Sequence, residues 1–223
     1  MNKRHKLSAA ILAGGRSRRM GSDKAFLLSE GKPFVLAIAS ELLKVSDDVF
    51  VLIGNKGRQD FASLLGGCAR VLNDDPFSDN PLGGIRSAFT NAKYPAAAIV
   101  PCDVPLLKAE VISYLFAALG NHSAAVPVHR REDKMSVEPL CAVYNVEEGK
   151  EAIGQTIREG FTSPKSMILR MKDVLYVSLS KLAIVDPSLE SFVNVNTRDE
   201  YLALMKRQHP RPPDATRKGG DNS

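Results

Sequence analysis

Residues Ala9–Leu27 read AAILAGGRSRRMGSDKAFL. The apolar run Ala9–Ala13 has the composition of a buried strand, and it breaks into Gly14-Gly15. Three arginines, one lysine and one aspartate occupy the next nine residues. Glycines let backbone N–H groups approach phosphate oxygens, and cations neutralise them, so the loop suits a polyanion. No Gly-Lys-[Ser/Thr] closes it as in a Walker A loop, and glycines at 14, 15 and 21 do not make GxGxxG. Arg19 and Lys24, five positions apart, can reach one polyphosphate in a compact loop. A solvated basic turn fits the same residues.

Working outward, short apolar or β-branched runs alternate with helix-like segments. Strands are expected at Ser8–Ala13, Val49–Gly54, Arg70–Asn73, Ala97–Pro101, Ala124–Val128, Leu140–Asn145, Val174–Leu179 and Phe192–Asn196. Helical patterns include Phe34–Lys44, Gly84–Ala92 and Lys108–Leu119. This alternation predicts an α/β fold: a three-layer, Rossmann-like, mostly parallel sheet with helices on both faces. Ligands of such sheets collect at the carboxyl ends of the strands. There the sequence places Gly14-Gly15, Gly54-Asn55, Asn73-Asp74-Asp75 and Cys102-Asp103, which together outline a nucleotide-sized cleft.

The chain has 223 residues, 44% hydrophobic and 25% charged, within the range of one globular domain. A single domain is expected over 7–205, with a basic tail at 1–6 and a polar, Pro/Gly-rich, disordered tail at 206–223. The two tails carry +6 of formal charge against +5 for the whole chain, so the body carries −1. That distribution argues against a nucleic-acid-binding face. No run approaches the roughly 18 apolar residues of a membrane span, and Leu7–Ala13 is short for a signal peptide, so a cytoplasmic protein is expected. Cys68, Cys102 and Cys141 form no CxxC pair, and the four histidines have no ligand spacing.

Three further stretches carry chemistry. In VPCDVPLL (Val100–Leu107), Asp103 ends an apolar strand between stiffening prolines. A carboxylate there can hold Mg2+ against phosphate oxygens, although a helix-capping aspartate has the same appearance. In NDDPFSDNPLGGIRSAF (Asn73–Phe89), Asp74 and Asp75 precede a Gly-Gly helix start that admits a ring or phosphate, as a plain turn also would. In FVNVNTRDEYLAL (Phe192–Leu204), Asn194 and Asn196 share one face of the expected strand. Thr197 and Glu200 have capping-box spacing for a terminal helix.

LAGGRSRRMGSDKAFL, DNPLGGI, PCDVPLL and NVNTRDEY, in this order from Ile11 to Leu204, resemble the molybdenum cofactor guanylyltransferases. The resemblance implies a nucleotide-diphospho-sugar-transferase-like fold. It implies Mg2+-dependent transfer of GMP from GTP to Mo-molybdopterin, with release of pyrophosphate. Carried over residue by residue, it puts Leu12, Ala13, Gly14 and Gly15 at the guanine nucleotide and Lys24 and Arg19 at the phosphates. Asp74 becomes a nucleotide contact, Asp103 the magnesium ligand, and Asn194 and Asn196 pterin-side residues. With Asp103, Lys24 and Arg19 form the catalytic set. Protein partners would be transient ones that deliver pterin or mature molybdoenzymes.

Two positions depart from the family pattern. Arg198 stands where a proline is usual after Asn-Thr, and the end of the second strand reads VLIGNKG, where Asn55 does not align with the expected asparagine. The alternatives are a related nucleotidyltransferase using CTP or another phosphorylated acceptor, and a non-catalytic nucleotide-binding module on the same fold. CTP-using relatives tend to read LAAG where this chain has Leu12-Ala13-Gly14-Gly15, and Gly14 in place of that alanine leaves more room for a purine.

Overall fold

Side chains of the first strand, β1 (His5–Leu12), are buried on both of its faces. Leu7, Ala9 and Ile11 enter one hydrophobic cluster while Ala10 enters another. This is the period-two signature of a strand covered on both sides. The computed structural model describes residues 5–15, 23–54, 57–74, 81–131 and 134–208.

After β1 comes a small ribbon of β2 (Leu28–Ser29) and β3 (Lys32–Pro33), which leads into α1 (Phe34–Leu42). Next are β4 (Ser46–Leu52), α2 (Arg58–Leu65), β5 (Arg70–Leu72), α3 (Pro81–Asn91), β6 (Ala96–Pro101) and α4 (Ala109–Leu119). The second half holds β7 (Ala124–Arg131), β8 (Lys134–Val137), β9 (Ala142–Asn145), α5 (Val146–Arg158), α6 (Pro164–Ile168), β10 (Val174–Ser178), α7 (Leu179–Leu182) and α8 (Arg198–Gln208).

The main sheet has the order β5-β4-β1-β6-β9-β7-β10, with β8 paired to β7. Pairings β1–β4, β1–β6, β4–β5 and β7–β10 are parallel. β9 runs antiparallel to both β6 and β7, and β8 antiparallel to β7. The three-layer, mostly parallel arrangement expected from the sequence is what forms. One cluster packs α1, α2 and α4 on one face, and the other packs α3, α5 and α6 on the opposite face.

Local chemistry fixes the helix ends. Asn145 starts α5 by accepting the Glu148 N–H at 3.1 Å, with Glu147 and Glu148 in the first turn and Arg158 in the last. At α8, Glu200 accepts the Thr197 N–H at 2.9 Å and Thr197 Oγ1 accepts the Glu200 N–H at 3.2 Å, which closes the expected capping box. Arg198, in place of the usual proline, is the first residue of that helix.

One strand expectation is corrected. Phe192–Asn196 pairs in no sheet; a 3-10 turn, Glu190–Phe192, precedes an extended run. The run is held by an edge contact in which the Val195 N–H donates to the Asp103 carbonyl at 2.8 Å. No strand was expected at β8 or in the β2–β3 ribbon. β1 begins at His5 and α8 reaches Gln208, while residues 1–4 and 209–223 lie outside those described.

Candidate active site

The chain leaves β1 toward β4 and β5 on one side and returns through β6 on the other, so the sheet's switch point lies between β1 and β6. Gly14 and Gly54 follow the ends of β1 and β4, Asp74 lies just beyond β5, and Asp103 just beyond β6. Beyond the strands the ladder continues: the Ala13 N–H donates to Leu52 O at 2.7 Å and the Cys102 N–H to Leu12 O at 3.1 Å. These bonds hold the loop roots to the rigid sheet.

On the β5 side, three loops meet at very close range. A Cβ at Gly14 would lie 2.2 Å from Asp74 Oδ2 and 3.0 Å from the Gly54 amide nitrogen. Gly54 itself has φ +62, where a side chain would be strained. Asn73 Nδ2 donates to the Gly54 carbonyl at 3.1 Å. A Cβ at Gly84 of α3 would lie 3.3 Å from Leu12 Cδ2 and 3.7 Å from Asp74 Oδ2. Leu12, Gly14, Asp74 and Gly84 therefore pack into one closely fitted surface that leaves little room for side chains at the two glycines.

At the centre, Lys24 is the first residue of a 3-10 turn (Lys24–Phe26) capped by Asp23, whose Oδ1 accepts the Ala25 N–H at 3.2 Å. Lys24 Nζ donates to Asn196 Oδ1 at 2.6 Å and lies 3.6 Å from Asp103 Oδ2. Burial pushes the Asp103 carboxyl above the ordinary aspartate value; Lys24 opposes that shift, and the Glu200 charge adds to it. Asp103 Oδ1 is buried and makes no hydrogen bond among the described residues. A buried carboxylate oxygen left in that state is a ready cation ligand. Among the described residues no three His, Cys, Asp or Glu gather as a metal cage, so any cation here would take its other ligands from water and phosphate.

On the β9 side, a cavity of about 250 Å³ is lined by Asp103, Asn194, Glu138 and Lys165, with Leu140 and Phe192 among its apolar walls. β9 is antiparallel, so its N-terminal end, not its carboxyl end, reaches this edge. Cys141 there is buried, and its thiol is pushed up to about 12 by burial, which makes it a packing group.

The structure thus gathers Leu12, Ala13, Gly14, Gly15, Lys24, Asp74, Asp103, Asn194 and Asn196 along one sheet edge, and divides the two asparagines. Asn196 holds Lys24, while Asn194 faces the cavity. Arg19, with Arg16, Arg18, Asn55 and Asp75, lies outside the described residues. Sequence reasoning passed over Glu138 and Lys165, which carry no motif and reach the site only through the reversal of β9 and the fold of α6.

A MobA-like NTP transferase domain model matches residues 9–170. The chain belongs to this family. It is 33% identical over 211 residues to a "Probable molybdenum cofactor guanylyltransferase" of Methanothermobacter thermautotrophicus, covering 88% of this chain and 98% of the relative. It is also 33% identical over 196 residues to the "Molybdenum cofactor guanylyltransferase" of Desulfosudis oleivorans, covering 87% and 92%. Among solved structures, molybdopterin-guanine dinucleotide biosynthesis protein A of Archaeoglobus fulgidus superposes with TM-score 0.73 at 22% identity, covering 90% of this chain and 97% of that one. A 2-C-methyl-D-erythritol 4-phosphate cytidylyltransferase of Thermus thermophilus gives TM-score 0.68 at 13% identity, over 90% and 98%. The fold is thus that of the nucleotide-diphospho-sugar transferases, and the chain is a nucleotidyltransferase of the molybdenum cofactor guanylyltransferase family. No described helix is long and apolar enough to cross a membrane.

Proposed function

We propose that this nucleotidyltransferase moves GMP from GTP to the terminal phosphate of Mo-molybdopterin and releases pyrophosphate. The observation that carries the reading is the position of Asp103. It stands between a glycine-lined surface at β1, β4 and β5 and a separate cavity at β9, where a donor and an acceptor would meet.

The base and ribose lie against Leu12, Ala13, Gly14, Gly15 and Asp74, and the triphosphate runs toward Lys24. An oxygen of the acceptor phosphate attacks the α-phosphorus in line, and the bond from that phosphorus to the bridging α–β oxygen breaks. The electron pair leaves with pyrophosphate, whose charge Lys24 and Arg19 neutralise. The attacking oxygen is already ionised at neutral pH, so no general base is needed, which agrees with a cavity that no histidine lines among the described residues. Asp103 would hold Mg2+, which when bound would supply Lewis-acid stabilisation of charge on the phosphate oxygens. Asn196, bonded to Lys24, keeps the ammonium aimed along the cleft, and Asn194 faces the acceptor cavity.

The test is pyrophosphate release from a panel of GTP, CTP, ATP and UTP with Mo-molybdopterin, with and without Mg2+. GTP should be preferred and Mg2+ required. A preference for CTP would replace the base assignment, and failure of every nucleotide to release pyrophosphate would leave a binding module.

A further inference from the structure

The ladder between β7 and β8 ends where the Glu138 N–H donates to Pro127 O at 2.9 Å. Three residues later Cys141 takes φ +79, a conformation costly for a residue with a side chain, and its N–H donates to Ile99 O at 2.7 Å. Tyr144 Oη donates to the Pro139 carbonyl at 2.5 Å and fixes the bend from inside. The chain between β8 and β9 is therefore a built wall, and Glu138 lines the cavity from it.

The Glu138 side chain is 31% exposed, and its carboxylate accepts no hydrogen bond among the described residues; the imidazole Nδ1 of His129 stands 3.5 Å away. Burial raises its pKa, against the pull of His129 and Lys165. A carboxylate with spare acceptor capacity in an apolar-walled cavity calls for a partner offering N–H donors.

We propose that Glu138 is the specificity-determining residue of the acceptor cavity. It receives two parallel hydrogen bonds from a 2-amino-4-oxopyrimidine edge, a ring N–H beside an exocyclic amine, carried by the acceptor's pterin ring. This rests on the acceptor reading above. Guanine carries the same edge, but the surface of Gly14, Asp74 and Gly84 lies across β6 from Glu138 and shares no residue with the cavity. His129 holds the carboxylate from behind, and Lys165 offsets its charge.

The test uses the full chain with 6-hydroxymethylpterin, read by its own fluorescence, and with 6-hydroxymethyllumazine, in which oxygen replaces the 2-amino group. Wild type should bind the pterin at least about 10-fold more tightly than the lumazine. Glu138→Gln, whose amide offers one donor and one acceptor, should weaken pterin binding at least about 10-fold and spare the lumazine. GTP affinity should not change. Equal binding of the two probes by wild type overturns the proposal and needs no variant. An unchanged preference in a folded E138Q also overturns it, and a parallel loss of GTP affinity would move the carboxylate's role to guanine. The transferase reading fails separately: Glu138-dependent pterin binding without GTP-dependent pyrophosphate release would sink it alone.

Discussion

Asp48 and Asp103 sit at opposite ends of the sheet, on strands that flank β1, and both carboxyl groups are mostly withdrawn from water. Their surroundings could hardly differ more. Asp48 accepts Ser8 Oγ at 2.7 Å, the Lys93 N–H at 3.1 Å and Arg70 Nη2 at 2.7 Å, with Lys93 Nζ at 3.6 Å. Burial alone would raise its pKa, but these partners outweigh it and leave the carboxyl below its ordinary value. Asp103 has Lys24 on one oxygen and no hydrogen-bond partner on the other among the described residues, and its pKa moves the opposite way. One aspartate is an internal fastener, and the other is the carboxylate proposed above to hold the cation. The same residue type at two ends of one sheet separates stability from function.

The largest effect that bears on this contrast is on turnover. Asp103→Ala should lower pyrophosphate release by at least about 10³-fold while the fold persists, read by circular dichroism alongside kinetics. Near-normal turnover would remove Asp103 from the chemistry. Asp48→Ala should do the reverse: a loss of about 2 kcal/mol in urea denaturation, with kcat retained at temperatures where the variant is folded.

A smaller effect concerns the protein without nucleotide. Asp103→Asn should stabilise it by on the order of 1 kcal/mol, because the strained charge is removed together with activity. The pH dependences should oppose each other. Asp48 has a folded pKa below the unfolded value near 3.8, so its contribution is present above that pH and is lost as pH falls through the folded value. Asp103 has a folded pKa above 3.8, so its ionisation removes stability as pH rises from there through the folded value. Urea midpoints of wild type and D103N across pH 3–7 should diverge upward, and parallel curves would refute the assignment. The smallest expected effect is at the cap of α8. Thr197→Ala should cost about 1 kcal/mol, seen as a lower urea midpoint without loss of kcat.

Much of this was legible in the sequence because the sheet is buried on both faces, so its strands are continuous apolar runs with polar exits. β1, β4, β5 and β6 stand out for that reason, and so do Gly14, Asp74 and Asp103 at their ends. The capping box was readable because it is chemistry between residues three apart. Other features depend on distant partners. Phe192–Asn196 has strand composition, yet the Asp103 carbonyl takes its Val195 N–H and no strand lies beside it. The pair Asn194 and Asn196 still shares the site, because extended backbone alternates its side chains with or without a sheet. Glu138 carried no signal at all: its position follows from a reversed strand and a positive φ at Cys141, neither of which has a local signature.

The hydrogen bond from Val195 to Asp103 has a consequence for how the protein is made. Synthesis runs from the N-terminus, and domains begin folding from that end as the chain emerges. The strands that lead to Gly14, Asp74 and Asp103 are made first, and Asn194 emerges 91 residues after Asp103. The cleft is therefore completed by a segment made well after its strands. A nascent chain that stops short of Val195 lacks the N–H that holds the Asp103 carbonyl and the asparagine that holds Lys24, so the strand ends alone do not make the finished site.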